Sequence, residues 1–198
     1  NASLVNSVNN LLARLDGVTR SGSTLSFNGM NVEINNGTGQ IDNMNGKGNL
    51  IVGYGHTRLN NATHNIVGGS GNTYSSFGGF TAGTGNTISG KYASVTAGYT
   101  NIASGPYSSI SAGHHNEASS WQSSVSGGRY NTASGADASV SGGQYNTASS
   151  PDTSISGGRD NTASGSYASI SGGVYITPGV PLAGIGGEVN IFQFVIPQ

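Results

Sequence analysis

The side chains that could do chemistry in this sequence are four histidines, eight carboxylates and a scatter of aromatic rings. A nucleophile works only beside a base that a third group orients. Serine is abundant here because strands and turns use it, and no serine stands in such a constellation. His56 and His64 stand alone; His114 and His115 are adjacent, and neighbouring side chains of an extended strand point to opposite faces. Only several copies around one axis would gather them. Asp137 and Asp152 are fifteen residues apart, but two carboxylates fall short of the roughly six to eight oxygens that calcium takes. No pair of acids clusters as glycoside cleavage requires, and no glycine run sits between a strand and a helix as a phosphate loop does. The absence of cysteine excludes disulfides and thiolate metal sites. The sequence therefore predicts no enzyme, no metal and no cofactor.

The aromatic residues are the better candidates. Tyr92, Tyr107, Trp121 and Tyr167 recur at one variable stretch, and Tyr130, Tyr145 and Tyr175 at another. Rows of flat rings on a rod can stack on sugar rings or mate with a protein, or pack between chains of an oligomer. They form the candidate ligand or partner surface.

Those rings need elements to hold them. Charged residues make up 8% of the chain, against about 25% in an ordinary domain, so ion pairs do not organise it. The net charge of −1 offers nothing to displace counterions from nucleic acid. No apolar run is long enough to cross a bilayer. Order comes from a repeat. A bulky apolar residue followed by small ones recurs every fifteen residues at Phe80, Val95, Ile110, Val125, Val140, Ile155, Ile170 and Ile185. It extends back to Ile66, one residue short, and Ile51, which gives ten turns. Asn72, Asn86, Asn101, Asn116, Asn131, Asn146 and Asn161 follow six residues after the apolar one. Two further on stands a small or apolar residue, such as Ile88, Ala103 or Ala133.

Nothing in the repeat has helical spacing, and short β-branched segments between Gly, Asn and Ser read as strands and turns. Such a unit cannot bury itself alone. Stacked in parallel, equivalent residues form an apolar core ladder from Ile66 to Ile185, beside an asparagine ladder from Asn86 to Asn161. At about 4.8 Å per turn, ten turns make a rod of about 45–50 Å. The core is thin, so the asparagine ladder and association of several chains are expected to add stability.

The ends differ. Val5, Val8, Leu12 and Leu15 take heptad a and d positions, with Leu4 and Leu11 beside them, and predict a coiled-coil helix over 1–18. Residues 19–48 read as a hairpin adaptor centred on Asn28-Gly29. The roll spans 49–187, and the apolar segment 188–198 reads as a capping strand.

The pattern S-[VI]-S-G-G-x-x-N-T-A-S-G, clearest as SVSGGRYNTASGADA and SISGGRDNTASGSYA, resembles the head repeats of trimeric autotransporter adhesins (YadA-like, Hep/Hag repeats). Similar rolls occur in phage tail fibres. The resemblance covers about Ile51 to Gly187. It implies an all-β, left-handed parallel β-solenoid, three chains side by side, and an extracellular place on a cell surface or virion. It implies a structural or adhesive role in virulence or host attachment, with host-surface glycan or matrix protein as partner. The chain departs from that pattern where Gly127 and Gly142 replace the second apolar residue, and in placing the coiled coil before the roll. Two other functions fit the residues: a phage tail-fibre receptor-binding protein, and an ice-binding solenoid. The last would use Thr87, Thr132, Thr147 and Thr162, a row interrupted by Ile102 and Glu117.

Overall fold

The computed structural model describes residues 2–14 and 17–177, which fall into two compact units, Asn1–Ile34 and Asn35–Gln198. The first holds helix α1 (Ala2–Arg14) and an antiparallel hairpin of β1 (Val18–Ser21) and β2 (Thr24–Phe27). Leu4, Val5 and Val8 lie exposed on α1. A helix of this length is marginal alone in water.

The hairpin turn falls at Gly22-Ser23, not at Asn28-Gly29. Val18 pairs with Phe27 and Ser21 with Thr24, and Gly22 has a φ of 57°, as the first central residue of a type II′ turn does. The Asn28 amide donates to the Gly17 carbonyl, so Asn28 closes the open end of the hairpin.

The second unit is a parallel β-solenoid. One sheet has nine strands, from Leu50–Tyr54 through Ile66–Ser70 and Phe80–Thr81 to Ser169–Ile170. The other has eight, from Thr57–Arg58 to Thr162–Ala163. Each strand pairs in parallel with its equivalent one turn away, as Ser124 with Ser139 and Thr132 with Thr147. Nine strands define about eight turns, fewer than the ten read from the sequence, and about 38 Å of rod. Ile185 and the segment 188–198 lie outside the described residues.

The core runs between the sheets. Val95, Ile110, Val125, Val140, Ile155 and Ile170 point inward from the first sheet, facing Ala103, Ala118, Ala133, Ala148 and Ala163 from the second. Ile66 and Phe80 do not belong to this ladder. Both face outward, 48% and 37% exposed, and Val67 and Thr81 are buried in their place. The reason is a shorter turn. Val67 pairs with Thr81 and Thr81 with Val95, steps of fourteen residues. The early turns run Val67-Gly68-Gly69 and Thr81-Ala82-Gly83, where the later ones run Val95-Thr96-Ala97-Gly98. One residue is missing between the core position and the left-handed glycine, and a slip of one residue reverses every side chain of a strand.

The asparagines hold the turns together through the backbone more than through each other. Asn131 Nδ2 donates to the carbonyls of Gly127 and Gly143, both at 3.0 Å. Its Oδ1 accepts the Asn146 backbone N–H at 3.0 Å. The same arrangement repeats at Asn86, Asn101, Asn116, Asn146 and Asn161, all fully buried. His56 Nδ1 begins the column by accepting the Asn72 amide at 3.2 Å. A second, shorter ladder, not singled out in the sequence, runs from Asn49 Oδ1 to the Asn65 amide and from Asn65 Oδ1 to the Gly79 amide, both at 2.9 Å. Asn131→Ala would leave the Asn146 N–H and the Gly127 carbonyl without a partner, and the Gly143 carbonyl with the Arg129 N–H alone. We expect it to lower unfolding free energy by about 3 kcal/mol, read by denaturant titration.

The paired glycines after each core residue are not equivalent. Gly128 has a φ of 84°, and a Cβ there would fall on the Gly143 carbonyl oxygen of the next turn. A Cβ on Gly127 would meet nothing, and Ala97 and Ala112 occupy the same place in earlier turns. Gly128→Ala is therefore expected to destabilise the roll by at least about 2 kcal/mol, while Gly127→Ala leaves its melting temperature unchanged or raised.

Candidate functional site

Each turn has two tight corners, and from Tyr92 onward both rest on a residue in the left-handed region that is not glycine. At the first corner the amide of Ala93, Ser108, Ser123, Ala138 or Ala168 closes a bond to the carbonyl three residues before it. The third residue of the turn has positive φ: Tyr92, Tyr107, Gln122, Asp137, Asp152 and Tyr167 lie between 52° and 64°. This is a type II turn with side chains where glycine is usual. Pro106 and Pro151 occupy its second position, which suits their fixed φ. At the second corner Thr100, His115, Tyr130, Tyr145, Asp160 and Tyr175 take the left-handed place, where the earlier turns have Gly71 and Gly85. The residue before each is joined to its equivalents by parallel bridges, in the order Tyr99, His114, Arg129, Gln144, Arg159 and Val174.

Equivalent positions stack, so rings on successive turns meet. Tyr92 and Tyr107 are stacked, with centroids 5.2 Å apart and planes 18° from parallel. Trp121 meets Tyr107 edge-on at 4.9 Å, and Phe77 meets Tyr92 at 5.3 Å. The Lys91 ammonium stands 5.8 Å from the Tyr107 ring centre and 5.7 Å from that of Trp121. At the other corner Tyr130 and Tyr145 stack at 5.0 Å and 9°. His115 meets Tyr130 at 5.0 Å, His114 meets Tyr99 at 5.2 Å, and the Arg129 guanidinium lies 5.9 Å from the Tyr130 ring.

The structure thus brings together Tyr92, Tyr107 and Trp121, and separately Tyr130 and Tyr145. Tyr167 and Tyr175 make no ring contact among the described residues, because Gln122, Asp137 and Asp152 fill Tyr167's column and Asp160 precedes Tyr175 in its own. Phe77, Tyr99, Lys91, the two histidines and Arg129 join the stacks. Tyr99 stands fifteen residues before His114 and His115 fifteen before Tyr130, so the repeat places them; Arg129 joins beside its neighbour Tyr130, Lys91 joins by reaching later turns, and for Phe77 the short turn hid the register.

The threonine column is also in register. Thr57, Thr73, Thr87, Ile102, Glu117, Thr132, Thr147 and Thr162 occupy equivalent places on the second sheet, facing away from the core. Among the described residues no three His, Cys, Asp or Glu side chains are gathered to hold a metal ion. No described helix is long and apolar enough to cross a membrane. No protein-family model matches the chain, and no curated protein matches it at a significant level.

The second corner is electrostatically distinct. The His114 pKa is pushed below its ordinary value of 6.5, first by desolvation and then by His115 and Arg129. A depressed base binds its proton later in the folded chain than in the unfolded one. The neutral ring therefore favours folding above pH 6.5, and that preference is lost as pH falls through the depressed value. In an NMR titration, Arg129→Gln is expected to raise the His114 pKa, yet leave it under 6.5 because desolvation and His115 remain.

Proposed function

We propose that this chain is a non-catalytic segment of an extracellular fibre, on a cell surface or a virion, whose corners attach to host-surface glycan or matrix protein. In this reading the roll is left-handed, three copies lie side by side, and the N-terminal helices join as a coiled coil. The observation that carries it is the division of labour within each turn. From Ile88 onward the interior is filled by Val, Ile, Ala and hydrogen-bonded Asn, while the tyrosines, Trp121 and the histidines of those turns stand at the corners. A scaffold of this kind holds variable side chains in straight columns without using them for its own core. The outward Ile66 and Phe80 are neighbours on one sheet, and Leu4, Val5 and Val8 line the helix; both are apolar surfaces suited to another copy. The resemblance to adhesin heads agrees with this.

The threonine column favours a second reading, an ice-binding face. Ile102 and Glu117 split it into two short runs, which leaves attachment through the corners better supported.

Light scattering on a sizing column tests the assembly. We expect the mass of three chains, falling to one for the doubly substituted Ile66→Asp, Phe80→Asp chain. Both positions are outward, so that chain should keep its β-rich circular dichroism. A folded monomer of the unaltered chain would contradict the trimeric fibre.

A further inference from the structure

The second corner carries a charge pattern that the first does not. Parallel bridges align Arg129, Gln144 and Arg159 on three consecutive turns. Adjacent turns are about 4.8 Å apart, so the two guanidinium-bearing residues are about 10 Å apart along the rod, with a carboxamide between them. One turn is close to the length of one pyranose ring in an extended chain. Tyr130 and Tyr145 stand beside this column as a parallel stacked pair, 37% and 47% exposed. At the first corner Lys91 is the cation in the stack among the described residues, and its left-handed column carries two acids, Asp137 and Asp152, where that of the second corner carries one, Asp160.

Arg129 has no carboxylate within ion-pair distance among the described residues. Arg159 meets its neighbour Asp160 through Nε at 3.3 Å, and its side chain is more than half exposed. His114, neutral near pH 7, extends the column on the other side of Arg129 with a hydrogen-bonding ring. Along the rod the column therefore alternates neutral polar, cation, neutral polar, cation. The remaining acid near this corner, Glu117, stands on the outward face of the second sheet.

We propose that this corner binds a linear acidic glycan with a carboxylate on every second sugar, laid along the rod with its acids on Arg129 and Arg159 and the intervening neutral sugar at Gln144. Guanidinium forks match carboxylate geometry. The neutral sugar's hydroxyl or amide groups suit a carboxamide, and its apolar face meets the rim of the Tyr130–Tyr145 pair. The proposal rests on the reading of the corners as attachment surfaces and names what one of them takes.

The test is calorimetric titration of the full chain with an octasaccharide alternating uronic acid and N-acetylhexosamine, and with its carboxyl-reduced form. Reduction is expected to weaken binding by about tenfold or more, since each acid then loses a charge-assisted contact. Arg129→Gln and Arg159→Gln should each weaken the acidic ligand several-fold, while Lys91→Gln at the opposite corner leaves it unchanged. Equal binding of the reduced form, indifference to both arginine substitutions, or tighter binding of a polymer with an acid on every sugar would each overturn the proposal. So would a sulfated neutral polymer displacing the carboxylated one. Should only neutral sugars bind, and Trp121→Ala abolish that binding, the acidic-glycan assignment falls while attachment through the corners stands. Should no oligosaccharide bind, the acidic-glycan assignment falls and the corners are left with matrix protein as their partner.

Discussion

A buried asparagine that serves three backbone groups at once is the interaction on which this solenoid depends. Each strand is two residues long through most of the rod, and the core gives each turn little more than one aliphatic side chain and one alanine. Between the strands the backbone turns through left-handed corners, where strand-to-strand pairing breaks off. At that point a backbone N–H and a carbonyl face the interior without a backbone partner, a second carbonyl has one acceptor site still open, and leaving them so would cost about 1–3 kcal/mol per orphaned group. The carboxamide has two donors and an acceptor, and supplies all three needs. Neither a hydrophobic residue nor a carboxylate could do so. This explains why the asparagine column is unbroken from Asn72 to Asn161 while its neighbours vary.

The same constraint sorts the remaining positions. The glycine three residues before each asparagine is compelled by the approach of the next turn, and its partner one residue earlier is free to be alanine. The corner residues sit in a conformation that costs a non-glycine side chain about 1 kcal/mol or more, and do so on turn after turn. Gly71 and Gly85 show that the chain has the cheaper solution at hand in its early turns. Tyr, His, Gln and Asp at this place are therefore better understood through what they present than through what they stabilise. The columns convert a fifteen-residue sequence period into a ruler of about 4.8 Å, along which ring, amide and charge stand in fixed order.

Much of this was legible in the sequence, for a physical reason. A stacked repeat has only local rules, and every turn from Val95 onward obeys the same ones, so period, inward residue and asparagine column could all be taken from spacing. The errors came where one residue was missing. Counting six back from Asn72 and Asn86 lands on Ile66 and Phe80, both bulky and apolar, and nothing in composition warns that Val67 and the polar Thr81 are the ones buried. The Asn28-Gly29 pair misled in a similar way, since Gly22-Ser23 closes the hairpin and registers Val18 against Phe27. At the candidate site the rings of Tyr92, Tyr107, Trp121, Tyr130 and Tyr145 could be assigned to columns at once. Phe77 was displaced by the short turn, and Lys91 enters by reaching the rings of Tyr107 and Trp121 on later turns, which a one-dimensional pattern does not display.

Hydrogen exchange of individual backbone amides tests the central claim most directly. The amides of Asn101, Asn116, Asn131, Asn146 and Asn161 donate to side-chain oxygens rather than to a strand. The account predicts that they exchange as slowly as the ladder amides of Ser124 and Thr132, and together with them. Exchange of these amides on the timescale of an exposed corner, with the neighbouring strands still protected, would show that the roll stands without its asparagines and contradict the account.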